Sequence, residues 1–220
     1  MRDPLILYVG EKNISSWSMR AWVALKHKAL DFEERTIELR ADKDRSQRRR
    51  VSPTGRVPVL HHGGRVVPDS LAIVEYLEEV FPPPAHPALW PSDPVARAHA
   101  RWLAAAMHSG FTKLRESMSF NLCFLPEPPP ASPEALAEAA EMLGLFDAAL
   151  RKKTAPGPFL FGAFTAADVM FAPAIVRLTS FRVPAASVPA AAKYMEAVLA
   201  HGPVRAWLDA ARALPPRATY

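Results

Sequence analysis

The hydrophobic pattern changes its period once along this chain. Up to Val80, short apolar runs of strand character alternate with stretches of helical spacing, and the predicted strands are Leu5 to Val9, Glu34 to Ile37, Val57 to His61 and Arg65 to Val67. Helices fall between most of them, the first over about Met19 to His27. Pro53-Thr54-Gly55 marks a turn and His62-Gly63-Gly64 a tight hairpin. Asp69-Ser70 opens a helix in which Leu71, Ile73, Val74 and Leu77 recur at helical spacing. The resulting order is βαβαββα.

Prolines at 82, 83, 84, 87, 91 and 94 then break all regularity, as a linker would. Beyond Pro94 there is no convincing strand. Val95 to Asn121, Pro133 to Lys153, Ala166 to Thr179, Val188 to Ala200 and Pro203 to Leu214 read as amphipathic helices. The proline clusters at 126–130 and 154–158 are too short for disordered linkers and read as ordered loops. The expected division is an α/β domain over 1–81, a linker over 82–93 and an all-helical domain over 94–220.

Composition narrows the function. Of the 220 residues, 50% are hydrophobic and 22% charged, the balance of a chain that folds around a core. Met1-Arg2-Asp3-Pro4 lacks a signal-peptide pattern, and no apolar run approaches the roughly 18 residues of a membrane span, so a cytoplasmic protein away from membranes is expected. Cys123 is the single cysteine. It leaves no internal disulfide, CxxC dithiol or CxxC zinc motif, so other sulfur chemistry needs a sulfur carried in by a substrate.

The net charge of +5 comes from 27 Lys and Arg against 22 Asp and Glu, densest at Arg45-Ser46-Gln47-Arg48-Arg49-Arg50. No aromatics interleave there for base stacking, so nucleic acid is not the expected partner. The run reads as a solvated helix face or as a collar for a small anion. The seven histidines show no metal spacing, and no metal is expected.

Asn13-Ile14-Ser15-Ser16-Trp17-Ser18-Met19-Arg20 carries the candidate chemistry, with three hydroxyls where the first strand hands over to a helix. A helix start presents unpartnered N–H groups and about half a positive charge. A hydroxyl added to that field can hold a thiolate. The same serines also read as plain helix caps.

Four motifs in order sharpen the choice. Ser15-Ser16-Trp17-Ser18-Met19-Arg20-Ala21-Trp22-Val23-Ala24-Leu25 resembles a Ser-Ser-Cys-Ser-Trp-Arg-Val-Arg-Ile-Ala-Leu signature, and Ser52-Pro53-Thr54-Gly55-Arg56-Val57-Pro58-Val59-Leu60 resembles Asn-Pro-x-x-x-Val-Pro-x-Leu. Asp69-Ser70-Leu71-Ala72-Ile73-Val74-Glu75-Tyr76-Leu77 resembles Glu/Gln-Ser-x-Ala-Ile-x-x-Tyr-Leu, and Phe164-Thr165-Ala166-Ala167-Asp168 resembles a Ser/Thr-x-x-Asp capping box. Together they resemble the cytosolic glutathione transferases, zeta type, over nearly the whole chain.

The resemblance implies a thioredoxin-like βαβαββα domain followed by an all-helical domain that contributes the electrophile site. It implies a homodimer and glutathione as co-substrate, activated as thiolate by a serine hydroxyl. Ser15 is the first serine of the pair and Ser16 its close rival. Ser15, Trp17, Arg56, Val57, Pro58, Asp69 and Ser70 are the implied glutathione contacts. Pro58 is implied to be cis, turning the Val57 backbone toward the cysteinyl backbone of the ligand. Ser70 would hold the γ-glutamyl carboxylate and Asp69 the ammonium group, although both residues also read as caps. Thr165 and Asp168 read as a structural capping box.

Two departures limit the resemblance. Trp17 replaces the cysteine of the signature, which disfavours mixed-disulfide chemistry, and Trp22 replaces an arginine suited to a dicarboxylate substrate. Met107, His108, Phe111 and Arg115 are the candidates for the electrophile pocket, with Met107 and Phe111 equally readable as core. Phe111 and Phe120 suggest a small apolar electrophile. The expected activity is thiolate transfer to that electrophile, with maleylacetoacetate-type cis-trans isomerisation and a non-catalytic binding module as rivals.

Overall fold

The computed structural model describes residues 3–43, 45–120 and 127–215; Cys123 lies outside them. Among the described residues the chain forms β1 (Leu5–Gly10), α1 (Ser16–His27), β2 (Glu33–Ile37), α2 (Ser46–Val51), β3 (Val59–His62), β4 (Arg65–Pro68) and α3 (Ser70–Val80). Six helices follow: α4 (Pro94–Ser109), α5 (Thr112–Ser117), α6 (Pro133–Lys152), α7 (Ala166–Ser180), α8 (Pro189–Ala200) and α9 (Gly202–Arg212). The fold is a thioredoxin-like α/β unit with a helical unit after it. None of these helices is long and apolar enough to cross a membrane.

The sheet runs β2-β1-β3-β4, with β1 parallel to β2 and antiparallel to β3, and β3 antiparallel to β4. Leu7 and Val9 of the central β1 are fully buried, as are Val59 and Leu60 of β3. The third strand begins at Val59, two residues later than its apolar run suggests, because Pro58 has no N–H to give a ladder. Val57-Pro58 is cis. Pro68 is tolerated inside β4 because that strand is an edge. Gly63 and Gly64 both have positive φ (53° and 77°), the requirement of a two-residue hairpin of the primed type.

α1 begins at Ser16, three residues before the periodic apolar positions suggest, and it is enclosed on nearly every side. Ser16 and every residue from Ser18 to Leu25 are buried. It packs on β1 and α3 on one side and on α7 and α9 on the other. Its C-cap residue Lys28 is fully buried. The Lys28 ammonium donates to the carbonyls of Phe81 (2.7 Å) and Pro87 (3.0 Å) and pairs with Glu78 at 2.6 Å. Those bonds fasten the proline-rich 81–93 stretch to α1, and Leu89 and Trp90 within it are buried.

A single helix from Val95 to Asn121 does not form. Gly110 is extended and Phe111 adopts the left-handed conformation (φ 56°), so the chain breaks into α4 and α5 and Phe111 turns inward. α7 is the spine of the helical half, with every residue from Ala166 to Leu178 buried, Pro173 included. Its start is the expected capping box. Asp168 accepts from the Thr165 N–H at 2.7 Å and the Thr165 hydroxyl at 2.9 Å, and also from the Leu160 N–H at 3.3 Å.

Asp168→Ala removes a cap and strands two buried N–H groups, so it should cost about 2–4 kcal/mol. An unmoved urea midpoint would contradict that role.

His27 of α1 meets His201, the N-cap of α9, with Nδ1 3.4 Å from Nε2. His201 stacks on Phe164 at a centroid distance of 3.8 Å. Burial lowers both imidazoles, against backbone and Glu78 influences at His27, and for His201 the neighbouring His27 adds to burial to bring it to about 4. The unfolded chain takes up these protons near pH 6.5, whereas folded His201 does so near 4. Stability should be full above pH 6.5 and fall as the pH drops toward 4. The melting temperature should follow that course, and His201→Phe should flatten it.

Candidate functional site

A cleft of about 1110 Å³ opens where the N-terminal ends of α1 and α3 face α4, α5 and α7. Ser15, Ser16, Trp17, Arg56, Val57, Pro58, Asp69 and Ser70 line one side, and His108, Arg115, Phe120 and Arg177 line the other. Arg48 of the basic run also reaches it, so that α2 is a solvated helix contributing one cation to the cleft rim. Met107 and Phe111 do not line the cleft. Met107 is fully buried in the core face of α4, and the break at Gly110 turns the Phe111 ring toward Phe171, 6.4 Å away.

At the start of α1 the serines do not act as side-chain caps. Ser15 is the N-cap residue but makes no side-chain cap; instead its Oγ donates to Ser18 Oγ at 2.7 Å. Ser18 Oγ also accepts the Gly10 N–H at 3.0 Å. The turn is held by Glu11, whose carbonyl accepts from the Ile14 and Ser15 N–H groups at 3.1 and 2.9 Å. Ser16 Oγ accepts from the Arg177 guanidinium at 3.1 Å. Gly10 is required by closeness: a Cβ there would lie 2.6 Å from Leu39 Cδ1 and 2.9 Å from Ser15 Cβ.

At the start of α3, Asp69 combines two tasks. Its Oδ1 caps the helix by accepting from the Leu71 and Ala72 N–H groups at 2.8 and 3.2 Å, while Oδ2 lies 3.3 Å from His108 Nε2. Its φ of 77° is costly for a residue with a Cβ, which marks the position as one held by its surroundings. The Ser70 hydroxyl beside it is buried with no partner among the described residues, as is His108 Nδ1. Burial depresses the His108 imidazole, with Arg20 and Arg115 assisting and Asp69 opposing.

Two arginines flank Trp17. The Arg20 guanidinium stacks 4.4 Å from the indole centroid, and that of Arg115 lies 5.4 Å from it. Arg20 Nε donates to the Met170 carbonyl at 3.1 Å, and Arg115 Nη1 donates to the carbonyls of Met107 and His108, both at 3.3 Å. Burial, then the nearby Arg177 and Arg115, brings Arg20 down to about 9 against the pull of Asp69. Arg177 is the functional candidate that sequence reasoning missed. The signal was present, because an arginine inside the otherwise apolar Val169–Leu178 run needs a reason to be buried.

Residues 14–80 match the family model "Glutathione S-transferase, N-terminal domain", and residues 129–210 match "Glutathione S-transferase, C-terminal domain". The structure resembles that of a glutathione transferase homolog from Burkholderia GL BGR1 with bound glutathione. That likeness has a TM-score of 0.71 at 34% identity, over 97% of this chain and 100% of that one. A maleylacetoacetate isomerase from Anaeromyxobacter dehalogenans 2CP-1 is similar at a TM-score of 0.73 and 28% identity, over 100% of this chain and 98% of that one. Rat maleylacetoacetate isomerase is 29% identical over 89% of this chain and 88% of its own length. The chain spans 49% to 62% of the length of the first curated relatives it matches, among them a probable maleylacetoacetate isomerase of Caenorhabditis elegans, 37% identical over 50% of this chain. This chain belongs to the glutathione S-transferase family.

Gly10→Ala should push Ser15 and Leu39 apart and destabilise the fold by about 1–3 kcal/mol. Equal urea midpoints for the variant and the unaltered chain would show that the turn has room to spare.

Proposed function

We propose that this protein is a glutathione-dependent transferase, in which a serine hydroxyl at the start of α1 stabilises the glutathione thiolate for attack on an electrophile held against the helical wall. The observation that carries this reading is the Ser70 hydroxyl, buried without a partner at the N-terminus of α3 and lining the cleft. A buried unpaired hydroxyl costs about 1–3 kcal/mol, and a helix start favours an anion. The γ-glutamyl carboxylate meets both needs. Asp69 Oδ2, on the same rim, suits the adjacent ammonium group, and the Val57 backbone suits the cysteinyl unit.

Lowering a thiol from a pKa of about 8.5 to about 6.5 takes roughly 2.7 kcal/mol of preferential thiolate stabilisation. A hydroxyl donor and a helix N-terminus together supply about that much. The electrophile gains a sulfur–carbon bond and loses a leaving group, or takes up a proton at the neighbouring carbon. Trp17 and Phe120, both lining the cleft, support an unsaturated or aromatic body. Arg115 and Arg177 on the same wall amend the expected apolar character, since they favour an anionic group on that body.

Those two arginines also favour a second reading, isomerisation of an unsaturated acid. The thiolate adds to a carbon–carbon double bond, the resulting single bond rotates, and the thiolate leaves unchanged. The maleylacetoacetate isomerase relatives support it. A two-fold homodimer in a cytoplasmic setting completes both readings.

The chain should be retained on immobilised glutathione, and Ser70→Ala should raise KM for glutathione at least about tenfold. Consumption of glutathione with an aryl halide supports transfer, whereas turnover of a cis-enedioic acid with glutathione conserved supports isomerisation. A chain that is neither retained nor active in either assay would be a binding module of the same fold.

A further inference from the structure

The two candidate hydroxyls at the start of α1 are not equivalent. A serine hydroxyl has one proton to give. That of Ser15 is committed within the fold, donated to Ser18 Oγ at 2.7 Å, and Ser18 Oγ is in turn tied to the Gly10 N–H at 3.0 Å. Ser15 therefore turns only lone pairs to the cleft, and lone pairs repel a thiolate. Ser16 is arranged the other way. Its Oγ accepts the Arg177 Nη2–H at 3.1 Å, which occupies an acceptor site and leaves its own proton to donate.

Arg177 is held firmly enough to direct that proton. Nε donates to the Met118 carbonyl at 2.8 Å, Nη1 lies 3.5 Å from the Pro173 carbonyl, and the guanidinium sits 5.4 Å from the Phe120 ring centroid. Its planar fork can satisfy a carbonyl on one side and a hydroxyl on the other, which an ammonium group on a flexible stem cannot do in one fixed geometry. The charge also stands one hydrogen bond behind the hydroxyl, where it polarises the O–H bond toward the cleft.

We propose that Ser16 is the hydroxyl that donates to the glutathione sulfur, and that Arg177, carried by α7 of the helical half, is the positioning residue that leaves its proton free to do so. The inference rests on the glutathione reading above and deepens it. Thiol activation then belongs to neither half alone: the hydroxyl comes from α1 and the group that orients it from α7.

The test titrates the thiolate absorbance of glutathione bound to the full chain and to Ser15→Ala, Ser16→Ala, Arg177→Lys and Arg177→Met, with affinity measured by calorimetry. Ser16→Ala and Arg177→Met should each raise the bound thiol's pKa by about one unit, a tenfold loss of thiolate on the acid side of the titration. Arg177→Lys should fall between Arg177→Met and the unaltered chain, and Ser15→Ala should shift the pKa less than Ser16→Ala. Combining Ser16→Ala with Arg177→Met should add little, because both act through one hydroxyl. A purely structural Arg177 would lower the melting temperature and leave the bound thiol's pKa in place, which overturns the proposal. So does a larger shift for Ser15→Ala than for Ser16→Ala. If Arg177→Met fails to fold, Arg177→Lys and Ser16→Ala decide the matter. Failure of the unaltered chain to bind glutathione overturns the underlying reading instead, so the two failures are distinct.

Discussion

The packing of α1 between the sheet and α7 is the constraint on which the rest of this structure depends. A helix buried on one face keeps a polar face for water, but α1 has almost none to keep, so its polar side chains must find partners inside the protein. Arg20 reaches the Met170 carbonyl, Ser16 accepts from Arg177, and Lys28 gathers two carbonyls and Glu78. Each of these contacts lies between α1 and a distant segment. Removing one partner would leave a buried charge or donor unpaired, a larger loss than the bond itself contributes.

The same enclosure explains why the cleft is rich in cations. Arg20 of α1 reaches the Met170 carbonyl of α7, Arg177 of α7 reaches back to Ser16, and Arg20 stacks on Trp17 at the cleft. Buried guanidiniums near one another are costly, as the lowered Arg20 shows. That cost, the unpaired Ser70 hydroxyl and the positive φ of Asp69 all fall at the cleft. An unpaired hydroxyl and a strained backbone that line a cleft are features a bound ligand can compensate.

Much of the architecture was legible from local chemistry. The turn at Gly63-Gly64 and the capping box at Thr165 and Asp168 each follow from what a residue's own backbone or side chain allows. The misses share another origin. The apolar pattern continued through Gly110 and Phe111, yet the helix breaks there because the Phe111 ring finds better burial against Phe171 than a straight helix offers. Met107 and Phe111 read as pocket or as core by position in the chain, and only packing shows which face of α4 and α5 turns inward.

The chain's order of apolar and polar residues was enough for the βαβαββα order of the first half, the helical character of the second, the serine-rich helix start and the family resemblance, since each depends on neighbours a few positions apart. It could not rank Ser15 against Ser16 or single out Arg177. Those distinctions turn on where one proton points, and that direction is set by Ser18 three residues along and by a guanidinium from a helix 161 positions away in sequence. Hydrogen-bond direction is a property of the assembled interior, and only the docking of α7 on α1 supplies it.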